Sequence, residues 1–210
     1  KTPAQDVLTS RWCAVMKSAP WKGGRRIGAA WIPTNEGGTK VFGGNMVFRE
    51  IVQASDGTLG TCFVPEMIPQ KEQDVLKPLS LSSEKGIRAV ELTAVSGNFR
   101  LDGLFSFSPG TAEFGLVLRD GTGTIGGRSV SFDPAAGTAA IDLFDTASKI
   151  PLSSAKVPFK LISHGGIVDL EINGNRTLVS PGAPFPGACR IFAFVRDGRS
   201  VFEDLRLYSR

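Results

Sequence analysis

The chain has 210 residues, 41% hydrophobic and 21% charged, with a formal net charge of +4. This is the profile of an ordinary soluble globular chain, long enough to bury roughly 70% of the surface its unfolded form exposes without help from metal or disulfides. Apart from the cluster at residues 22–26, Lys and Arg alternate with Asp and Glu, which argues against nucleic acid, and no apolar run approaches the roughly 20 residues that cross a bilayer.

In chain order, strand-like pieces fall at residues 12–16, 26–32, 46–53 and 59–63. Their connections, Lys22-Gly23-Gly24, Asn35-Glu36-Gly37-Gly38 and Ser55-Asp56-Gly57, carry turn chemistry, so residues 1–68 are expected to form an antiparallel meander. Residues 69–86 turn polar and then Ser-rich, which reads as a linker, and an isolated helix over 72–76 would be marginal at that length. From residue 87 onward, strand-like segments recur at 87–95, 99–107, 112–119, 127–133, 138–142, 158–163, 167–172, 175–179, 188–196 and 200–208. That spacing predicts a two-sheet, concanavalin-like β-sandwich over 87–210, and hence an all-β chain. The clearest signal is Ile167-Val168-Asp169-Leu170-Glu171-Ile172, where apolar and acidic residues alternate before an Asn173-Gly174 turn. Alternation puts Val168 and Ile172 on the core face and Asp169 and Glu171 on a polar outer face, so Asp169→Ala is expected to be nearly silent. Of fourteen Phe, Phe99, Phe105, Phe107, Phe114, Phe132, Phe159, Phe192, Phe194 and Phe202 fall within predicted strands and are expected to fill the space between the sheets.

No cofactor or metal site is expected. His164 is the only histidine and precedes Gly165-Gly166, where it reads as a solvent-facing turn residue. Cys13, Cys62 and Cys189 are too widely spaced for a metal site and read as buried free thiols, with a Cys13–Cys62 bridge as the alternative. Gly121-x-Gly123-x-x-Gly126 has the form of a dinucleotide fingerprint, but no helix follows it, so a hairpin loop is the better account. Asn175-Arg176-Thr177 satisfies the glycosylation sequon, a triplet that arises often by chance.

Gly24-Arg25-Arg26-Ile27-Gly28-Ala29-Ala30-Trp31, Gly43-Gly44-Asn45-Met46-Val47-Phe48-Arg49-Glu50-Ile51, Asp56-Gly57-Thr58-Leu59 and Val64-Pro65-Glu66-Met67 resemble the closing segments of the catalytic propeller of glycoside hydrolase family 32, the invertases, inulinases and levanases. Later segments, around Phe114–Arg119, 130–134 and 167–174, resemble that family's C-terminal sandwich. Phe48 stands where the family usually has Pro, and Glu171 where its hairpin usually has Phe. The resemblance implies an upstream propeller carrying an Asn-Asp-Pro nucleophile, an Arg-Asp-Pro segment and a Glu-Cys acid, none of which this sequence contains. Retaining hydrolysis needs two carboxyl groups about 5 Å apart, and no such pair is marked out, so no catalytic residue is assigned.

Two functions follow as expectations. The chain is a non-catalytic portion supporting a catalytic propeller and binding carbohydrate, with Trp31 and Trp21 as the sugar-stacking candidates. Alternatively it is part of an active fructan or β-fructoside hydrolase whose carboxylates lie on an upstream segment. A third reading makes the sandwich an oligomerisation face. The family also implies a secreted or periplasmic setting. A chain opening on Lys1 without a signal-peptide pattern suggests a processed or truncated N-terminus.

Overall fold

The computed structural model describes residues 8–36, 39–41, 44–96, 98–121, 127–142, 145–147, 152, 156–185 and 187–209. In chain order its strands are β1 (Ala14–Pro20), β2 (Arg26–Trp31), β3 (Thr34–Glu36), β4 (Thr39–Val41), β5 (Met46–Gln53), β6 (Leu59–Cys62), β7 (Lys71–Val75), β8 (Leu79–Ser96) and β9 (Phe99–Phe107). They continue with β10 (Glu113–Asp120), β11 (Arg128–Asp133), β12 (Thr138–Ile141), β13 (Asp145–Ala147), β14 (Val157–His164), β15 (Ile167–Ile172), β16 (Arg176–Pro181) and β17 (Ala188–Ser209). Short 3-10 turns at Lys22–Gly24 and Pro65–Met67 are the only helical pieces among the described residues. The chain is all-β, as its turn spacing implies.

The first unit is an antiparallel sheet in the order β1-β2-β5-β6, with β3 and β4 forming a separate small hairpin. The second unit is a sandwich whose two layers are stitched together by β17 and β8. The first half of β17 pairs with β10 on one side and with residues 87–96 of β8 on the other. The second half pairs with β9 on one side and with β7 and residues 79–83 of β8 on the other. Both long strands therefore cross from one layer to the other at the same corner. Asp197 (φ 45°), Gly198 (φ 142°) and Gly86 (φ 80°) sit there, and the Gly86 N–H donates to Asp197 Oδ1 at 2.7 Å. A Cβ at Gly198 would lie 2.5 Å from the Thr111 Cα, so both the left-handed backbone and the packing require glycine.

The core lies between the layers. Phe114, Leu116 and Phe132 from one face meet Phe105, Phe159 and Phe202 from the other, all buried. The rings touch in tilted, stacked and edge-on pairs with centroids 4.6–6.3 Å apart, geometries that add to their area burial. Phe99, Phe105, Phe114, Phe132, Phe159 and Phe202 thus fill the space between the sheets, as expected, whereas Phe192 alternates outward from the core residues Ile191 and Ala193 and lies against Arg119 and Arg190.

Residues 69–86 differ from the linker expected of them. β7 and the first part of β8 hydrogen-bond to β17 and extend the sandwich layer, so the segment belongs to the sheet. Every residue of β7 is exposed, so no apolar face betrays the strand in the sequence, and the marginal helix at 72–76 is replaced by backbone pairing. Residues 188–196 and 200–208 likewise form one bent strand and not two. The β15–β16 hairpin turns on Asn173 (φ 54°) and Gly174 (φ 63°), two successive left-handed residues of the kind that match strand twist in a two-residue turn.

Val168 and Ile172 are fully buried in the core. Replacing either with Asp places an unpaired carboxylate between the sheets, and chemical denaturation should show a loss of several kcal/mol; a loss under 1 kcal/mol would place these side chains outside the core.

Candidate functional site

The four-stranded sheet lies against the outer face of β15 and β16, and the seam between them is built from polar residues. Register sets Gly28, Ala30, Val47, Arg49 and Thr61 on one face of the sheet. Ala30, Ile32 and Val47 pack with Ile167 and Val179 of the sandwich to form a second small core. Arg49 emerges beside that core, 2% exposed. Its Nη2 donates to Asp169 Oδ1 at 2.6 Å, its Nε to Thr177 Oγ1 at 3.0 Å and its Nη1 to the Phe48 carbonyl at 3.1 Å. The Thr61 and Thr177 hydroxyls share a hydrogen bond of 2.7 Å, and the Thr61 N–H donates to the Asn175 carbonyl. Glu171 accepts from the Phe63 N–H through one carboxylate oxygen and pairs with Lys160 through the other.

Asp169 and Glu171 are therefore not on a solvated outer face, as alternation alone suggested. Alternation places them correctly opposite the core, but the first unit covers that side and leaves Asp169 6% and Glu171 2% exposed. Burial pushes the Asp169 carboxyl up to about 6, and Arg49 opposes that rise without cancelling it. Both carboxylates are committed to cationic partners and hold the two units together. Thr177, the sequon's hydroxyl residue, is buried in the same network.

The arginine and glutamate residues of the family-like motifs turn out to be ties. Arg25 reaches Glu50 and Glu66 at 2.7 Å each, joining three motif segments on the first unit. The Arg25 guanidinium holds the exposed Glu66 carboxyl down to about 2.

The two tryptophan candidates do not converge. Trp21 precedes the 3-10 turn before β2 and is 43% exposed, whereas Trp31 ends β2 and is half-buried, its indole N–H buried with no hydrogen-bond partner among the described residues. The length of β2 separates them by roughly 17 Å, so they cannot grip one sugar ring. Trp31 lies on the face opposite Arg49, in register with Met46 and alternating with Ala30. That face also carries Phe48 and Val52, half-buried, and Met46, 57% exposed.

The remaining sequence candidates have structural settings. His164 is the last residue of β14, paired with Ile167 and half-buried beside a cleft lined by Met46, Phe63 and Ile162, so the turn proper is Gly165-Gly166. The three cysteines are free thiols. Burial raises Cys13, pushes Cys62 up to about 11 and Cys189 up to about 12, so none is a thiolate near neutral pH. β10 and β11, which flank the glycine-rich stretch, are antiparallel neighbours; Gly123 and Gly126 lie outside the described residues. Among the described residues no His, Cys, Asp and Glu gather in a metal-binding group.

A four-stranded antiparallel sheet clamped to the outside of a two-layer β-sandwich is the arrangement implied by the resemblance to glycoside hydrolase family 32, and comparison with solved structures finds that fold. The chain is similar to a β-fructofuranosidase from Aspergillus kawachii, with a TM-score of 0.67 and 11% identity over 93% of this chain and 45% of that one. It is similar to an exo-inulinase from Aspergillus awamori, with a TM-score of 0.63 and 16% identity over 94% of this chain and 43% of that one. A carbohydrate-binding module, CBM66 from Bacillus subtilis, matches 65% of this chain and 94% of its own length with a TM-score of 0.50 and 12% identity. This chain thus spans less than half the length of the two fructan-related structures. No family model and no curated protein sequence matches it.

Removing one partner of the seam leaves a buried charge alone. Asp169→Ala, expected from the sequence to be silent, should cost about 3–5 kcal/mol, and the double variant Arg49→Met/Asp169→Leu should recover most of that loss in urea titrations. The pH dependence has a definite sign. The folded Asp169 pKa of about 6 stands above its ordinary 3.8, so the native state binds a proton that the unfolded state lacks between those values. This group's contribution to stability is then present at low pH and lost as pH rises through 6. Denaturation between pH 4 and 7 should show this component in the native chain and not in the double variant.

Proposed function

We propose that this chain is the non-catalytic, sandwich-bearing portion of a glycoside hydrolase family 32-like protein, that it supports a catalytic propeller, and that its ligand class is carbohydrate. The observation that carries the reading is the asymmetry of the four-stranded sheet. One face is sealed onto the sandwich by Arg49, Thr61 and the small core around Val47. The other carries Trp31, Phe48 and Val52, half-buried, and Met46, mostly exposed, with Met46 and Phe48 also bordering a cleft that Ile162 and His164 of the sandwich line. Apolar surface left in water costs roughly 25 cal/mol per Å², so a further layer of sheet packed there is the natural complement.

The fold likeness to a β-fructofuranosidase and an exo-inulinase more than twice as long supports an upstream segment as the source of that layer. In this reading, the catalytic carboxylates lie on the upstream segment, and the complete protein hydrolyses fructans or related β-fructosides, outside the cell or in the periplasm. Asp169 and Glu171 serve the seam and do no chemistry. Trp31 lies on the face that meets the propeller, where a flat indole suits the C–H face of a sugar ring. Trp21, at the far end of β2, faces solvent and is the lesser candidate.

Met46→Glu tests the packing role. In the isolated chain the exposed side chain should change stability by no more than about 0.5 kcal/mol, whereas in the longer natural product the same charge should lower the melting temperature by several degrees. Equal effects in both would remove the supporting role. The isolated chain should release no fructose from inulin or levan; turnover by the purified chain would overturn the non-catalytic reading.

A further inference from the structure

One edge of β5 is paired along only half its length. β6 runs beside it from Glu50 to Gln53, whereas residues 46–49 pair with β2 on one side and, among the described residues, with no strand on the other. The cause is local. By register Val64 would face Phe48, but Val64 gives its carbonyl to the Met67 N–H of the 3-10 turn, so the chain leaves the sheet there. On the β2 side the Asn45 carbonyl accepts from the Ile32 N–H, so alternation turns Met46 and Phe48 the other way. Arg49 Nη1 takes the Phe48 carbonyl. The Phe48 N–H and both backbone groups of Met46 are left without a partner among the described residues.

A cleft of about 100 Å³ opens along this unpaired stretch. The departing segment lines it with Phe63 and Met67, and the sandwich lines it with Ile162, His164 and Ile167. Arg49 and Asp169 also reach it, but they are paired with each other and ask for no charged partner. The walls are mainly apolar, so the occupant is apolar too. Its size is also bounded. Small-molecule sites begin near roughly 300 Å³, and an apolar cavity of about 150 Å³ already holds a benzene ring, so this cleft suits one aliphatic side chain. A free strand edge beside a pocket for one side chain captures extended peptide, with main-chain hydrogen bonds giving affinity and the pocket giving selectivity.

We infer that this cleft is a strand-addition site, filled in the longer protein by an extended piece of the upstream segment that hydrogen-bonds to Met46 and Phe48 and seats one apolar side chain between Met67 and Ile162. This occupant presupposes the upstream segment proposed above and fixes where it binds. Met46 and Phe48 belong both to the sheet face assigned to that segment and to the cleft, so chain arriving on the face runs directly into the slot. The similar fructan-related structures, more than twice as long as this chain, have the polypeptide to supply it. The inserted strand touches the sandwich as well as the first unit, and so grips both sides of the seam.

Amide hydrogen exchange, resolved by residue in the isolated chain and in the longer natural product, tests this. The Phe48 amide should exchange roughly tenfold more slowly in the longer product, the factor one net backbone hydrogen bond supplies, and should gain more than the amide of Val47, which already faces β2. Met67 is 42% exposed on the cleft rim. Met67→Glu should leave the melting temperature of the isolated chain unchanged, yet lower that of the longer product by several degrees and abolish the extra Phe48 protection; Met67→Leu should preserve both. A Phe48 amide that exchanges alike in the two proteins overturns the strand-addition site, and if Met46→Glu still destabilises the longer product, the supporting role survives it. Silence of Met46→Glu as well removes both. Phe48 protection that appears in the isolated chain and grows with its concentration would replace the upstream segment with a second copy as occupant.

Discussion

A buried guanidinium facing a buried carboxylate decides how this chain is arranged. Arg49 and Asp169 come from different units 120 residues apart, and each is held out of water by the other's unit. Two such charges are costly to bury, and only a complete set of partners offsets that cost. The set is complete: Thr177, the Phe48 carbonyl and Asp169 satisfy the guanidinium, while Phe63 and Lys160 satisfy the neighbouring Glu171. A purely apolar seam would tolerate sliding, because hydrophobic contact has no direction. The ion pair and its hydrogen bonds accept one register. The four-stranded sheet is thereby held in one orientation, with Trp31 and Met46 turned outward.

The sandwich behind the seam is held by a different physics. Its phenylalanine core is non-directional, and the precision comes from two long strands that pass between layers at a corner only Gly86, Asp197 and Gly198 can turn. The polar seam sets orientation while the aromatic core supplies most of the burial. The two meet on β15, whose inner residues, Val168, Leu170 and Ile172, belong to the core and whose outer residues, Asp169 and Glu171, belong to the seam. One six-residue strand therefore couples the layers of the sandwich to the unit outside it.

Much of this was legible locally. Period-two alternation and the Asn173-Gly174 turn identify the β15–β16 hairpin because they are read over a dozen residues. Strands β2, β5, β9 and β15 fall where apolar alternation and flanking turns place them. What escaped has a common cause. β7 has no buried face, and its strand identity lies in backbone hydrogen bonds to a segment more than 130 residues away. Arg49 sits in a motif that the family resemblance singled out, yet nothing in its neighbours says that Asp169 is its partner. A signal did exist: an arginine between the apolar Val47 and Ile51, on the face that register assigns to Ala30, and two carboxylates in a strand otherwise wholly apolar. Opposite charges in two half-apolar strands can be read as mutual partners once the strands are known to face each other.

The amino-acid order alone settled the class of fold, the hairpin at residues 167–181 and the absence of the family's catalytic motifs, because each depends on residues adjacent or nearly adjacent in the chain. It also settled which side of each strand is apolar, since side chains alternate whatever lies beyond them. Tertiary structure alone decided that the polar side of β15 is buried and that residues 69–86 are sheet. Those facts depend on which surfaces meet across 100 residues or more, and a carboxylate facing water and one facing a buried arginine are written in the sequence with the same letter.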